Sequence, residues 1–225
     1  MKTSFIAILL LVLISGCQFS KSVNKDFLSG LLTKGDGLSC DQVYLTIGDD
    51  KLNRSTFVYG ESFVVNFNKI EGFVEENESV FPDMSLVVLN AEGDTMLFAD
   101  DLYSNYPDGI KLDPLLLTSE VTVAAPMRSG KEYKLNISIS DKKGDGVFSA
   151  ELLFKVVPSD KIVTESTGVR YNEIYLYSGD QERVIVDNKV GIDETTYFVF
   201  EGLTGFKEDG GMVYPGLSLK GTDKG

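Results

Sequence analysis

Apolar and polar positions alternate along most of the chain beyond its N-terminal apolar segment, the two-residue period of strands that bury one face. Tyr133, Leu135, Ile137 and Ile139 alternate with Lys134, Asn136, Ser138 and Ser140, and past residues 141–146 the alternation resumes with Phe148, Ala150, Leu152, Phe154 and Val156. This predicts an antiparallel hairpin turning at 141–146. Phe63, Val65 and Phe67 predict another strand, as do Met84, Leu86 and Val88, and Val121, Val123 and Ala125; Gly, Asp, Asn or Pro separates each from the next. No long helical period follows the leader, and only Phe27, Leu28, Leu31 and Leu32 suggest a short helix. Many short strands at such spacing predict an all-β chain, a sandwich or a barrel.

The pattern also recurs. Residues 67–86, FNKIEGFVEENESVFPDMSL, align without a gap on 200–219, FEGLTGFKEDGGMVYPGLSL, with eight of 20 positions identical. Gly37, Tyr44, Leu45, Gly48 and Asp49 match Gly168, Tyr175, Leu176, Gly179 and Asp180, with a shift of two residues between the blocks. Alternation alone explains apolar periodicity but not the same Gly, Phe and Pro at fixed offsets, so a duplicated unit of about 130 residues is expected. The first copy is expected over 37–157, long enough for a core of its own, and the second, partial copy over 168–225, with 158–167 as linker. At Gly225 the second copy has reached only the place of residues 91–93 in the first. A fragment of a longer protein is therefore expected, or else a partner chain that supplies the remaining strands.

The N-terminus adds an address. Residues 5–14 are an apolar run behind Lys2, long enough for a removable leader but short of the ~20 residues that span a bilayer. The run ends in Ile14-Ser15-Gly16-Cys17, which resembles a bacterial lipobox. The resemblance implies a signal peptide at 1–16, acylation of Cys17 and a lipidated tether at 17–36. The protein is then expected on the cell envelope, held to a membrane by its N-terminal lipid. Gln18 in place of an inner-membrane-retaining Asp points to the outer membrane.

Composition narrows the chemistry. The net charge is −13, one unit more negative once Lys2 is removed, which excludes a nucleic-acid partner whose phosphates demand Lys and Arg clusters. There is no histidine, so Ser-His-Asp, Cys-His and most catalytic zinc arrangements are absent, and no Walker, dinucleotide or EF-hand motif is present. Cys17 is taken by the lipid and Cys40 has no intrachain partner. A carboxylate pair could act on a glycosidic bond, but nothing singles one out among the 34 acidic residues, so the expectation is a protein that is not an enzyme. Calcium is the one candidate cofactor: Asp49 and Asp180 offer oxygen ligands at matching turns of the two copies, although Asp and Gly are also what tight turns require. Tyr103 and Tyr106, in the loop DLYSNYPDG, are the candidate ligand-binding residues, since exposed rings stack on sugars or anchor proteins; the alternative is that they pack over the edge of the fold.

Residues 130–156, GKEYKLNISISDKKGDGVFSAELLFKV, resemble the last two strands of bacterial immunoglobulin-like domains in the leading Gly, the Tyr-x-Leu alternation and the Asp-x-x-Gly turn. Asp94-Thr95-Met96 resembles the short O-glycosylation pattern of Bacteroidota envelope proteins. The first resemblance implies tandem immunoglobulin-like β-sandwiches, the second incomplete, with a structural, adhesive or ligand-presenting role toward an envelope protein or a glycan. The alternative is the carbohydrate-binding accessory portion of a larger surface enzyme or glycan-uptake assembly.

Overall fold

The computed structural model describes residues 22–26, 30–187 and 189–221, which contain strands and no helix. Eleven strands build a first unit: β1 (Ser22–Lys25), β2 (Leu32–Asp36), β3 (Ser39–Ile47), β4 (Asp50–Leu52), β5 (Thr56–Val58), β6 (Ser62–Glu71), β7 (Pro82–Leu89), β8 (Thr95–Ala99), β9 (Leu116–Thr122), β10 (Glu132–Asp141) and β11 (Val147–Val157). Five more follow: β12 (Glu173–Ser178), β13 (Arg183–Val184), β14 (Thr196–Glu201), β15 (Glu208–Asp209) and β16 (Met212–Val213).

The first unit has two sheets. One has the order β1-β2-β11-β10-β7-β8, with β5 parallel to the end of β11; the other has the order β4-β3-β6-β9. Their alternating apolar residues form a single buried cluster, because each strand can hide only every second side chain. Phe63 from β6 stacks on Phe57 at 4.1 Å and meets Phe154 of β11 edge-on at 5.9 Å, while Phe67 meets Phe148 at 6.2 Å. The expected hairpin is present as β10 and β11, with Tyr133 opposite Phe154 and Ile139 opposite Phe148. Its turn is fastened by buried Asp141, whose carboxylate accepts the N–H groups of Val74 at 2.7 Å and Lys143 at 2.9 Å.

Ser22–Lys25 and Leu32–Asp36, expected within the tether, are instead in the sheet. β1 pairs with β2, and β2 pairs with β11, with Leu32 opposite Glu151 and Asp36 opposite Val147. Leu31 is buried and Leu32 opens a strand rather than continuing a helix. Four apolar residues cannot offset helix nucleation, whereas pairing satisfies the backbone along the edge of β11. Cys17, Phe27 and Leu28 lie outside the described residues.

The second group has the sheet order β13-β12-β14, with β15 and β16 forming a separate hairpin. Its registers follow those of the first unit position by position. Val43 opposes Phe67 in β3–β6, and Ile174 opposes Phe200 in β12–β14; Tyr44 opposes Asn66, and Tyr175 opposes Val199. The bridge between Glu76 and Ser79 has its counterpart in the pairing of Asp209 with Met212. Glycine geometry matches as well. Gly72 has φ +102°, and a Cβ there would lie 2.4 Å from the carbonyl oxygen of Gly37; Gly205 has φ +88°, and a Cβ there would lie 2.3 Å from that of Gly168. In both places only glycine permits the approach. The two-residue shift seen in the sequence falls in a turn, since Ile47 pairs with Asp50 but Ser178 pairs with Arg183.

Phe63→Ala empties the centre of the two-sheet core and is expected to lower the unfolding free energy by about 3 to 5 kcal/mol. Urea denaturation followed by circular dichroism checks this; a loss below about 1 kcal/mol contradicts the packing described.

Candidate functional site

The described residues bring polar groups together most densely at the junction between the first unit and β12–β14. Glu173 and Glu201 are opposite each other across β12 and β14. Two carboxylates facing one another in an antiparallel pair repel, so they persist only if other groups hold them. The first unit supplies most of those groups, and Tyr175 of β12 itself adds one. Ser129 donates to Glu173 twice, from its N–H at 2.5 Å and from its hydroxyl at 2.7 Å, and Glu173 is buried. Arg128 donates to Glu201 Oε2 at 2.6 Å, and the hydroxyls of Tyr175 and Tyr59 donate to Oε1 at 2.8 and 3.3 Å.

Local structure sets up these donors. Arg128 and Ser129 lie in the loop between β9 and β10, which is tied down by two tyrosines: Tyr59 Oη accepts the Ala125 N–H at 3.0 Å, and Tyr133 Oη accepts the Arg128 N–H at 2.6 Å. The rings of Tyr59 and Tyr175 lie 5.3 Å apart. Beside them Gly60, at φ +96°, lies so close to Val184 that an added Cβ would be 2.3 Å from that side chain.

The electrostatics follow the geometry. Burial pushes the Glu201 carboxyl up, but hydrogen bonds from Tyr175 and Arg128 and the charge of Arg128 outweigh it, and the net shift is downward. Burial, then the bond to Glu201, holds the Tyr175 phenol well above its usual range; burial and the nearby Glu201 charge raise Tyr59 too.

The residues singled out from sequence lie elsewhere. The Tyr103 hydroxyl accepts the Thr118 N–H at 2.8 Å and donates to the Thr118 carbonyl at 3.2 Å, so it closes the outer edge of β9 much as a strand would. Tyr106 tilts against it at 5.8 Å and is 54% exposed. Asp49 is exposed at the turn into β4, and Asp180 accepts the Thr195 N–H at 2.8 Å at the corresponding turn. Among the described residues no group of three or more His, Cys, Asp or Glu side chains is arranged to hold a metal ion. At the 141–146 turn the nearby cations are Lys142, paired with Asp101, and Lys143, paired with Glu76. Burial pushes the Cys40 thiol up to about 11, which keeps it protonated and poorly reactive.

Sequence reasoning missed the junction. One signal was present: in the aligned segments Glu173 and Glu201 stand where the first unit has Gln42 and Asn68, themselves an opposed pair. A neutral pair replaced by two carboxylates calls for donors from outside the strand pair.

No family model matches the chain, and no curated protein matches it. Among solved structures, the crystal structure of the C-terminal domain of wzt is similar to this chain with a TM-score of 0.40 and 10% sequence identity, over 66% of this chain and 89% of that one. At that distance the similarity identifies no family.

The junction should weaken in acid. A carboxyl whose folded pKa lies below its unfolded value of about 4.3 stabilises the fold above that value, and the contribution is lost as the pH falls through the folded pKa. Glu201→Gln is therefore expected to flatten the stability profile below about pH 4.3 and to speed limited proteolysis within 158–172 at neutral pH. Unchanged cleavage and an unchanged acid limb would show that Glu201 does not hold the junction.

Proposed function

We propose that this is a lipid-anchored cell-envelope protein with a structural, adhesive or ligand-presenting role, built from tandem immunoglobulin-like β-sandwich units, the second incomplete in this sequence, and performing no catalysis. The observation that carries the reading is the junction. Two carboxylates from one unit, held by Arg128, Ser129 and Tyr59 of the other, fix the relative orientation of the units, as a spacer requires and a flexible linker does not provide. The duplication is supported by the shared register of β3–β6 and β12–β14 and by the matching approaches of Gly72 to Gly37 and Gly205 to Gly168. The immunoglobulin-like assignment is supported by the two facing sheets and by the β10–β11 hairpin within 130–156.

The lipid anchor rests on Ile14-Ser15-Gly16-Cys17. One acyl chain gives marginal membrane binding and several give lasting attachment, so a lipidated Cys17 holds the first unit near the surface. The strongly acidic composition suits a crowded envelope, where like charge keeps neighbours apart.

Cys17→Ser is expected to move the protein from the membrane fraction to the soluble fraction of cells that express the full chain, with loss of labelling by an alkyne fatty acid. A variant that stays in the membrane fraction and keeps the label would overturn the anchor.

A further inference from the structure

The two ends of β11 carry different parts of the molecule. At its start, Ser22 of β1 opposes Gly35 of β2, Gly35 opposes Phe148, and Asp36 opposes Val147. The 141–146 turn closes the same end, since Ser140 opposes Val147. At its finish, the Gly130 N–H donates to the Val156 carbonyl at 2.8 Å and the Tyr59 N–H donates to the Val157 carbonyl at 2.9 Å. Those bonds place Tyr59 and the loop bearing Arg128 and Ser129 at that end, and with them the junction to β12–β14. At the rise of an extended strand, Val147 and Val157 are about 33 Å apart.

Cys17 precedes Ser22 by five residues, which reach at most about 18 Å when extended. Because β1 is in the sheet, the tether is shorter than the unit is long. We infer that the end of the first unit formed by Ser22, Asp36, Val147 and the 141–146 turn is a membrane-facing surface, set against the lipid headgroups, and that the junction with β12–β14 points away from the bilayer. This rests on the proposed lipidation of Cys17. An inverted unit would hold Ser22 about 30 Å above the membrane, beyond the reach of the tether. The surfaces of the two ends agree. Val23 and Val147, 69% and 45% exposed, lie beside the Ser22 end, and an interfacial layer accommodates such apolar side chains. The junction end is already engaged with Glu173 and Glu201. Charge does not set the orientation: the chain carries −13, and Lys142 and Lys143 of the turn are paired with Asp101 and Glu76.

The test uses the full chain, lipidated in cells and reconstituted into phosphatidylcholine vesicles that contain a headgroup-labelled acceptor lipid. A donor dye is attached through Asp145→Cys in the turn or through Asp160→Cys just past β11, each with Cys40→Ser so that one site is labelled. Both positions are exposed and outside the strands, so each variant keeps the fold. Energy transfer to the lipid is expected to be several-fold more efficient from the turn position than from the position past β11. Equal transfer from the two would mean that the unit lies along the bilayer on its β1 edge, and would overturn the proposal, as would stronger transfer from the position past β11. If the unsubstituted chain carries no lipid and does not stay on the vesicles, the anchor reading itself fails and the proposal falls with it.

Discussion

The fold depends on β6 being enclosed. It is hydrogen-bonded on one edge to β3 and on the other to β9, and its inward residues Phe63, Val65 and Phe67 are almost fully buried. A strand with both edges paired and one face against aromatic partners has no register in which its apolar set could be better hidden, and a slip by one residue would turn all of it to solvent. The facing sheet, through Phe148 and Phe154 of β11, completes that constraint. β14 has the same register against its own β12 partner.

Attachment of the second unit uses a different kind of interaction. The apolar contact at the junction is modest, with Gly60 beneath Val184 and two tyrosine rings in tilted contact. Orientation comes from charge and hydrogen bonding. Glu173 and Glu201 would repel across their strands, and the Ser129 and Arg128 donors turn that repulsion into a demand for the first unit. A polar junction of this type specifies geometry more than it adds stability.

Much of the fold was legible because it depends on a period of two. The β10–β11 hairpin and the strands around Phe63 and Met84 follow from alternation and turn residues alone, whereas the strand expected over Val121, Val123 and Ala125 lies earlier, at Leu116–Thr122. β1 and β2 were not legible: their sequence, SVNK and LTKGD, has no alternating apolar face, and β2 becomes a strand because β11 offers an edge to pair with, as β2 in turn does for β1. The site was less legible still. Tyr103 stood out as an aromatic in a loop, yet its hydroxyl serves the backbone of Thr118. The junction carboxylates lie 28 residues apart in sequence and gain meaning only when β12 and β14 pair and the loop bearing Arg128 meets them.

β12–β14 form a paired sheet that hydrogen bonds from Arg128 and Ser129 seat against the first unit. Nitrogen-15 relaxation of the backbone amides tests it most directly. One rotational correlation time shared by β6, β10, β12 and β14, together with nuclear Overhauser contacts between Tyr175 and Val199 and between the Tyr59 and Tyr175 rings, is the predicted result. A distinctly shorter correlation time for residues 173–213, with those contacts missing, would contradict it.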